Sequence, residues 1–239
     1  MTTPFTDIPR VYLTLACNYR CPYCPQERPP RFNAKLKSGE WLAILNDWPA
    51  DAIILAGGEP TIHSGFAAIA NGLIQPDVRV YSNMSFPAAL FDRLKRIVSW
   101  YSSFHPSGKC SSGEVARKVV ELQRRGHRLL NVHINRAAGD PQQHVMAFAR
   151  HNLTLEIEND LWVNENLALL RKRALGSVTC RLRRSYFGPD GKRYICVHKL
   201  ESGDPSGVVD HRNPVAELPC DIHGQCSPCD APFISVVRR

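Results

Sequence analysis

Apolar residues along this chain alternate between short continuous runs and longer helical stripes from residue 11 onward. Val11-Tyr12-Leu13-Thr14-Leu15 carries β-branched and aromatic side chains and reads as a buried strand. Residues 38–47 read as a helix with Ser38 at its N-cap and Trp41, Leu42 and Leu45 on one face. Ala52-Ile53-Ile54-Leu55-Ala56 is apolar throughout, as expected of a strand covered on both faces. The pattern continues with a helix over 64–74, a strand over 78–82, and a helix over 87–97 with Leu90, Leu94 and Ile97 at core spacing. A fourth strand follows over 98–103. The helix over 112–125 turns Val115, Val119 and Leu122 inward and ends at Gly126, a C-cap residue. A fifth strand over 129–134, a helix over 141–151 opened by Asp140, a sixth strand over 153–157 and a helix over 166–174 complete the series.

Six strand–helix units with short connections imply a parallel sheet with helices outside. They are too few for a closed eight-fold barrel, so the expected fold class is α/β, an open partial (βα)6 barrel over residues 1–175. From about residue 176 the periodicity disappears. Gly, Pro and Asp punctuate the chain, and five of its nine cysteines fall in this stretch. Residues 176–239 are therefore expected to form a small cysteine-rich appendage stapled by metal rather than by a core of its own.

Composition adds little to the fold but narrows the setting. Hydrophobic content of 44% and charged content of 22% are those of an ordinary globular protein. No run of about 18 apolar residues is present to span a membrane, and residues 1–10 show no secretory signal. An odd number of cysteines in a chain of this length argues for metal-bound thiolates in a reducing cytoplasm rather than a disulfide scaffold. The formal charge of +8 gathers at Arg171-Lys172-Arg173, Arg181, Arg183-Arg184 and Lys192-Arg193. A solvated basic face is the simplest account. A phosphate-bearing substrate and an acidic electron donor are the sharper ones, ahead of nucleic acid.

The chemistry concentrates in Cys17-Asn18-Tyr19-Arg20-Cys21-Pro22-Tyr23-Cys24, a C-x3-C-x2-C loop directly after the first strand. Three thiols in one loop suit a metal centre. Iron–sulfur clusters are usually held by four thiolates, so three leave one iron open; a zinc knuckle is the alternative. Gly57-Gly58-Glu59-Pro60 ends the second strand, where ligands of parallel α/β sheets gather. Its glycines permit close backbone approach and its carboxylate can receive an ammonium. Other strand ends carry Tyr81-Ser82-Asn83, Ser102 and Ser103, while Asn131, His133 and Asn135 share one face of strand five and Glu156 and Glu158 one face of strand six. His105, just past strand four, is the candidate for binding substrate or moving a proton. Cys110 reads as an incidental thiol. In the tail, Cys180, Gly191 and Cys196 form C-x10-G-x4-C around a hairpin turn, and Cys220, Cys226 and Cys229 form C-x5-C-x2-C. Two cysteine pairs from separate segments suit a four-thiolate zinc or iron–sulfur site.

The first cysteine loop, with aromatic Tyr23 before its last cysteine, resembles the cluster motif of the radical S-adenosylmethionine (SAM) superfamily, and Gly57-Gly58-Glu59 resembles that family's GGE motif. The resemblance implies a [4Fe-4S] cluster on Cys17, Cys21 and Cys24, whose open iron is chelated by SAM, and a 5′-deoxyadenosyl radical released on reduction. It places Tyr23, Gly57, Gly58, Glu59, Ser82, Asn83 and Ser102 near the cofactor, although the glycine-rich fifth strand of many members is absent. The tail resembles SPASM and Twitch extensions. The shorter Twitch form implies one auxiliary [4Fe-4S] cluster on Cys180, Cys196, Cys226 and Cys229, with Cys220 as substitute or spare. The implied activity is an oxidoreductase abstracting hydrogen from a small molecule, similar in layout to the 2-deoxy-scyllo-inosamine dehydrogenases, with a flavodoxin or ferredoxin as electron donor. Alternatives are a peptide maturase forming a thioether or carbon–carbon crosslink and, from another class, a zinc-binding RNA module.

Overall fold

The structure is a computed structural model describing residues 8–21, 24, 26, 30, 32–135, 142–153, 155–158, 178–182, 185–210, 216–220 and 235–238. The strands β1 (Arg10–Thr14), β2 (Ala52–Gly57), β3 (Asp77–Ser82), β4 (Ser99–Phe104), β5 (Arg128–Asn135) and β6 (Leu155–Glu158) lie side by side in sequence order. Every neighbouring pair among them is parallel. The helices α1 (Ser38–Asn46), α2 (Phe66–Gly72), α3 (Ala89–Arg93), α4 (Ser112–Arg124) and α5 (Gln142–Ala149) connect them. Together these elements form the expected α/β partial barrel.

One layer of core joins sheet and helices. Val11, Leu13, Ile53, Leu55, Val78, Val80, Trp100, Val132 and Ile134 from alternate strand positions meet Trp41, Leu45, Phe66, Ile69, Val115, Val119 and Leu122. β2 is buried at every position but its last, which is why its sequence does not alternate. In α4, Ser111 and Glu114 form a reciprocal capping box and Gly126 takes φ +81° just past the end.

Three boundaries differ from the sequence pattern. Ser38 is the first helical residue of α1 and Lys37 stands at the cap, its N–H donating to Glu40 Oε2 at 2.7 Å. The helix expected over 64–74 is the shorter α2, preceded by a separate 3-10 turn, Pro60–Ile62. The helix expected over 87–97 is only α3, because Asn71 of α2 accepts from Lys95 N and donates to the Arg93 carbonyl, both at 2.8 Å. Those are groups a longer helix would need for its own ladder. Leu90 and Leu94 reach the core as expected, whereas Ile97 is 55% exposed.

In the tail, β7 (Val178–Leu182) pairs antiparallel with β10 (Ala216–Cys220) and β11 (Ser235–Arg238) in a small sheet. The hairpin of β8 (Tyr186–Phe187) and β9 (Arg193–Tyr194) forms as its Pro-Asp-Gly turn foretells, with Gly191 at φ +76°. β8 pairs parallel with β1, so the hairpin extends the main sheet on the side away from β2. The hairpin and α6 (Val197–Ser202) bring Tyr186, Tyr194, Ile195, Val197 and Leu200 against Tyr12 and Leu15. Among the described residues, no helix is long and apolar enough to cross a membrane. The stretch 166–174 and Asp140 lie outside the described residues.

Candidate active site

The carboxyl ends of β1 and β2 are tied together by the glycine pair. Gly58 N donates to Thr14 O and Glu59 N to Ala16 O, each at 2.9 Å. A side chain on Gly57, which sits at φ +123°, would place its Cβ 2.2 Å from Thr14 O, and one on Gly58 would come 2.0 Å from Ala16 O. The backbone that approaches these glycines is thus the chain's own segment leading into the cysteine loop. Asn33 completes the junction: its Oδ1 accepts from Thr14 Oγ1 and Leu15 N, both at 3.0 Å.

Glu59 follows the pair and is 1% exposed. It accepts four hydrogen bonds: from Thr61 N at 3.1 Å, Thr61 Oγ1 at 2.5 Å, Ser82 Oγ at 2.9 Å and Asn83 N at 2.7 Å. Burial raises its pKa, and the four donors oppose that shift without cancelling it. Glu59 is the one fully buried carboxylate among the described residues, and none of these four donors is charged.

Asn83 carries the connection from Glu59 to the cysteine loop. Its Nδ2 donates to Asn18 Oδ1 at 3.1 Å and lies 3.8 Å from Cys17 Sγ, while Asn18 Nδ2 donates to Ser85 Oγ at 2.6 Å. Within the loop, Tyr19 N donates to Cys17 Sγ at 3.4 Å and Cys24 N to Cys21 O at 3.1 Å. Cys17, Cys21 and Cys24 are half-buried and form no disulfide. Tyr19 anchors the loop on its other side. Its hydroxyl accepts from Cys110 N at 3.2 Å, and its ring meets His105 edge-on at 6.1 Å between centroids. Burial raises the Tyr19 phenol further above neutrality, so it stays protonated.

The structure thus brings Cys17, Gly57, Gly58, Glu59, Ser82 and Asn83 into one bonded cluster. His105 lies at its edge through Tyr19. Ser102 stands apart: it is fully buried on the strand face that carries Trp100 and Phe104, and among the described residues its hydroxyl has no hydrogen-bond partner. By alternation the cavity-side hydroxyl of β4 belongs to Ser103. On that face the Tyr81 and Tyr101 rings meet edge-on with centroids 4.4 Å apart, and Tyr101 and His133 lie 6.3 Å apart. Glu156, its side chain 60% exposed, sits 3.7 Å from His133 Nδ1.

Tyr23, Cys226 and Cys229 lie outside the described residues, as do the side chains of Cys180, Asn135 and Glu158. By register Cys180 pairs with Leu218, two positions from Cys220, while Cys196 stands before α6. Asn18, Tyr19, Asn33 and Thr61 are contributors the sequence reading passed over. Only Thr61, a hydroxyl two residues past a strand-end carboxylate, carried a local signal, that of a side-chain-bonded turn.

A model of the radical SAM superfamily matches residues 11–137, just over half of the chain. The chain belongs to the radical SAM superfamily. Membership makes it an enzyme and implies a [4Fe-4S] cluster and SAM. A curated relative, the S-adenosylmethionine-dependent nucleotide dehydratase of Selenomonas ruminantium, is 38% identical over 65 residues, covering 26% of this chain and 23% of the relative. The aligned segment is therefore about a quarter of either protein. Among solved structures, Streptococcus suis SuiB bound to the precursor peptide SuiA matches with a TM-score of 0.52 at 14% identity. That match covers 70% of this chain and 44% of SuiB and reports a shared fold. The radical SAM cofactors fit the residues present: three thiols in one loop, one of which, Cys17, is joined through Asn83 to a buried carboxylate whose four hydrogen-bond donors are uncharged.

Proposed function

We propose that this radical SAM enzyme abstracts a hydrogen atom from a small-molecule substrate, with Cys17, Cys21 and Cys24 holding the [4Fe-4S] cluster and Glu59 receiving the amino group of SAM. The single observation that carries the reading is Glu59: a carboxylate with a raised pKa, 1% exposed, joined through Asn83 to Cys17. A buried carboxylate needs a cationic partner to stay ionised at low cost, and an ammonium supplies one. When bound, the cluster and SAM together supply a 5′-deoxyadenosyl radical. The chain's own part is to hold and orient. Ser82, Thr61 and Asn83 fix the carboxylate, Gly57 and Gly58 bring the thiol loop to it, and Tyr19 fixes the loop against the end of β4. Tyr23 is assigned to the same pocket from its place in the motif.

The cavity face of β3, β4 and β5, with Tyr81, Tyr101 and His133, is assigned to substrate, and His105 to proton transfer beside it. A small molecule is favoured over a peptide because a 65-residue stretch is 38% identical to an enzyme named for a nucleotide substrate. The basic residues would then serve a phosphate-bearing substrate or an acidic flavodoxin or ferredoxin donor. An auxiliary [4Fe-4S] cluster is assigned to Cys180, Cys196, Cys226 and Cys229. The register of β7 and β10, with Cys220 two positions from the partner of Cys180, supports Cys220 as a further candidate ligand.

Anaerobic reconstitution with iron and sulfide counting tests both clusters. About eight irons per chain supports them, about four removes the auxiliary one, and none overturns the assignment. Reduced enzyme should convert SAM to 5′-deoxyadenosine, and Ala at Cys17, Cys21 or Cys24 should abolish that cleavage. With deuterated nucleoside phosphates as candidate substrates, label should appear in 5′-deoxyadenosine. Label drawn only from a peptide would replace the small-molecule reading with a maturase.

A further inference from the structure

Lys118 lies on α4, outside the barrel, yet its ammonium does not face solvent alone. Nζ donates to the carbonyl oxygens of Met84 at 2.7 Å and Phe86 at 2.6 Å, and it stands 5.5 Å from the centroid of the Phe86 ring. Both carbonyls belong to the loop between β3 and α3. That loop is in an unusual conformation: Met84 has φ +58° with its side chain fully buried. A non-glycine residue in the left-handed region is disfavoured by about 1 kcal/mol and persists only where its surroundings hold it. Beside the core that packs around Met84 and Phe86, hydrogen bonds hold the turn. Met84 N donates to Ser82 Oγ at 3.0 Å, Ser85 N to Asn83 Oδ1 at 2.9 Å, and Lys118 takes the two carbonyls.

Two residues of the same loop, Asn83 and Ser85, reach the site. Asn83 N holds Glu59, Asn83 Nδ2 reaches Asn18 and Cys17 Sγ, and Ser85 Oγ accepts from Asn18. α4 is a rigid platform for the clamp, closed at its start by the Ser111–Glu114 box and seated through Val115, Val119 and Leu122. Resting on the assignment of Glu59 and Cys17 made above, the geometry points to Lys118 as a positioning residue. From the outer layer it fixes the turn that sets the Glu59 carboxylate and the Cys17 thiol relative to one another.

Lys118→Met keeps the apolar stem over Phe86 and removes both donors. In the reconstituted full-length protein, amide hydrogen exchange over residues 83–86 should quicken at least about tenfold, since two charge-assisted hydrogen bonds are lost. SAM affinity should weaken by a similar factor, and the SAM-induced change in the cluster's electron paramagnetic resonance should diminish. Lys118→Arg, with donors for both carbonyls, should restore all three. A merely structural lysine would lower the melting temperature while leaving SAM affinity and the spectrum of the folded fraction unchanged, and that result overturns the inference. Lys118→Gln, which keeps an uncharged N–H donor group on a shorter stem, should give intermediate values and carries the same test should the Met variant not fold. Glu59→Gln in parallel separates the two levels. Unchanged SAM affinity there removes the Glu59 assignment, while loop exchange still judges Lys118.

Discussion

Glu59 illustrates how one residue sets conditions for the rest. Its folded-state pKa lies above its unfolded value because burial outweighs four hydrogen bonds. The folded chain therefore holds a proton that the unfolded chain releases. Stability from this group is full below the unfolded carboxylate pKa of about 4.3 and declines as pH rises from there toward the folded value. Glu59→Gln should flatten that part of the pH–stability curve of the SAM-free protein, measured by urea denaturation. The same substitution should weaken SAM binding about 30-fold, ~2 kcal/mol, by removing the charge that meets the ammonium. A variant with the parent's pH profile and the parent's SAM affinity would show that the carboxylate is only a packed, hydrogen-bonded group. The two effects oppose each other in the loaded protein, where the cofactor's amino group relieves the buried charge.

At the scale of elements, the site depends on loops touching loops. Gly108 shows how tight one such contact is: a Cβ there would lie 2.3 Å from Tyr19 Cε2 and 2.9 Å from His105 O. The Tyr19 ring is rigid and 5% exposed, so it has little room to yield. Gly108→Ala should therefore destabilise the protein by about 1–3 kcal/mol and loosen the cysteine loop, seen as faster loss of iron to a chelator. Wild-type iron retention with an unchanged denaturation midpoint would remove Tyr19 as the anchor. Such contacts mark the limit of what the sequence discloses. The six strands were legible because runs such as Ala52–Gly57 are apolar without interruption. The capped α4 was legible because Ser111, Glu114 and Gly126 act within a few residues of the groups they satisfy. Gly57-Gly58-Glu59 and the cysteine loop were legible as motifs. Tyr19 reaching Cys110 spans 91 residues, Lys118 reaching Met84 spans 34, and Asn33 reaching Thr14 spans 19. No local pattern distinguishes a lysine that clamps a loop from one that is solvated. The early end of α3 has the same origin, since Asn71 acts on it from a different helix.

For the whole molecule, the sharpest question is where the barrel ends. Composition places a boundary at residue 175, but the sheet continues past it: β8 bonds along the free edge of β1, with Arg10 N also donating to Ser185 O at 2.9 Å. Tyr12 and Leu15, on the strand that leads into the cysteine loop, are covered by Tyr186, Tyr194, Ile195 and Leu200 from beyond that boundary. Trp48 is gripped from the same region, its ring 5.2 Å from that of Phe187 and 5.4 Å from the Arg193 guanidinium. Uncovering large apolar side chains costs about 1.5–3 kcal/mol each. Losing several approaches the 5–15 kcal/mol that holds a whole domain together, and the bare β1 edge would invite intermolecular pairing. A fragment of residues 1–175 should accordingly aggregate or unfold without cooperativity, whereas residues 1–210, which retain the hairpin and α6, should keep a cooperative transition. Parallel denaturation and light scattering of the two fragments measure this. If residues 1–175 unfold cooperatively at the full-length midpoint, the tail is an appendage and β8 merely leans on a finished barrel. If they do not, the segment that completes the sheet beside β1 is part of what holds the cysteine loop in place, and the main sheet draws a hairpin from within the cysteine-rich region, between Cys180 and Cys196.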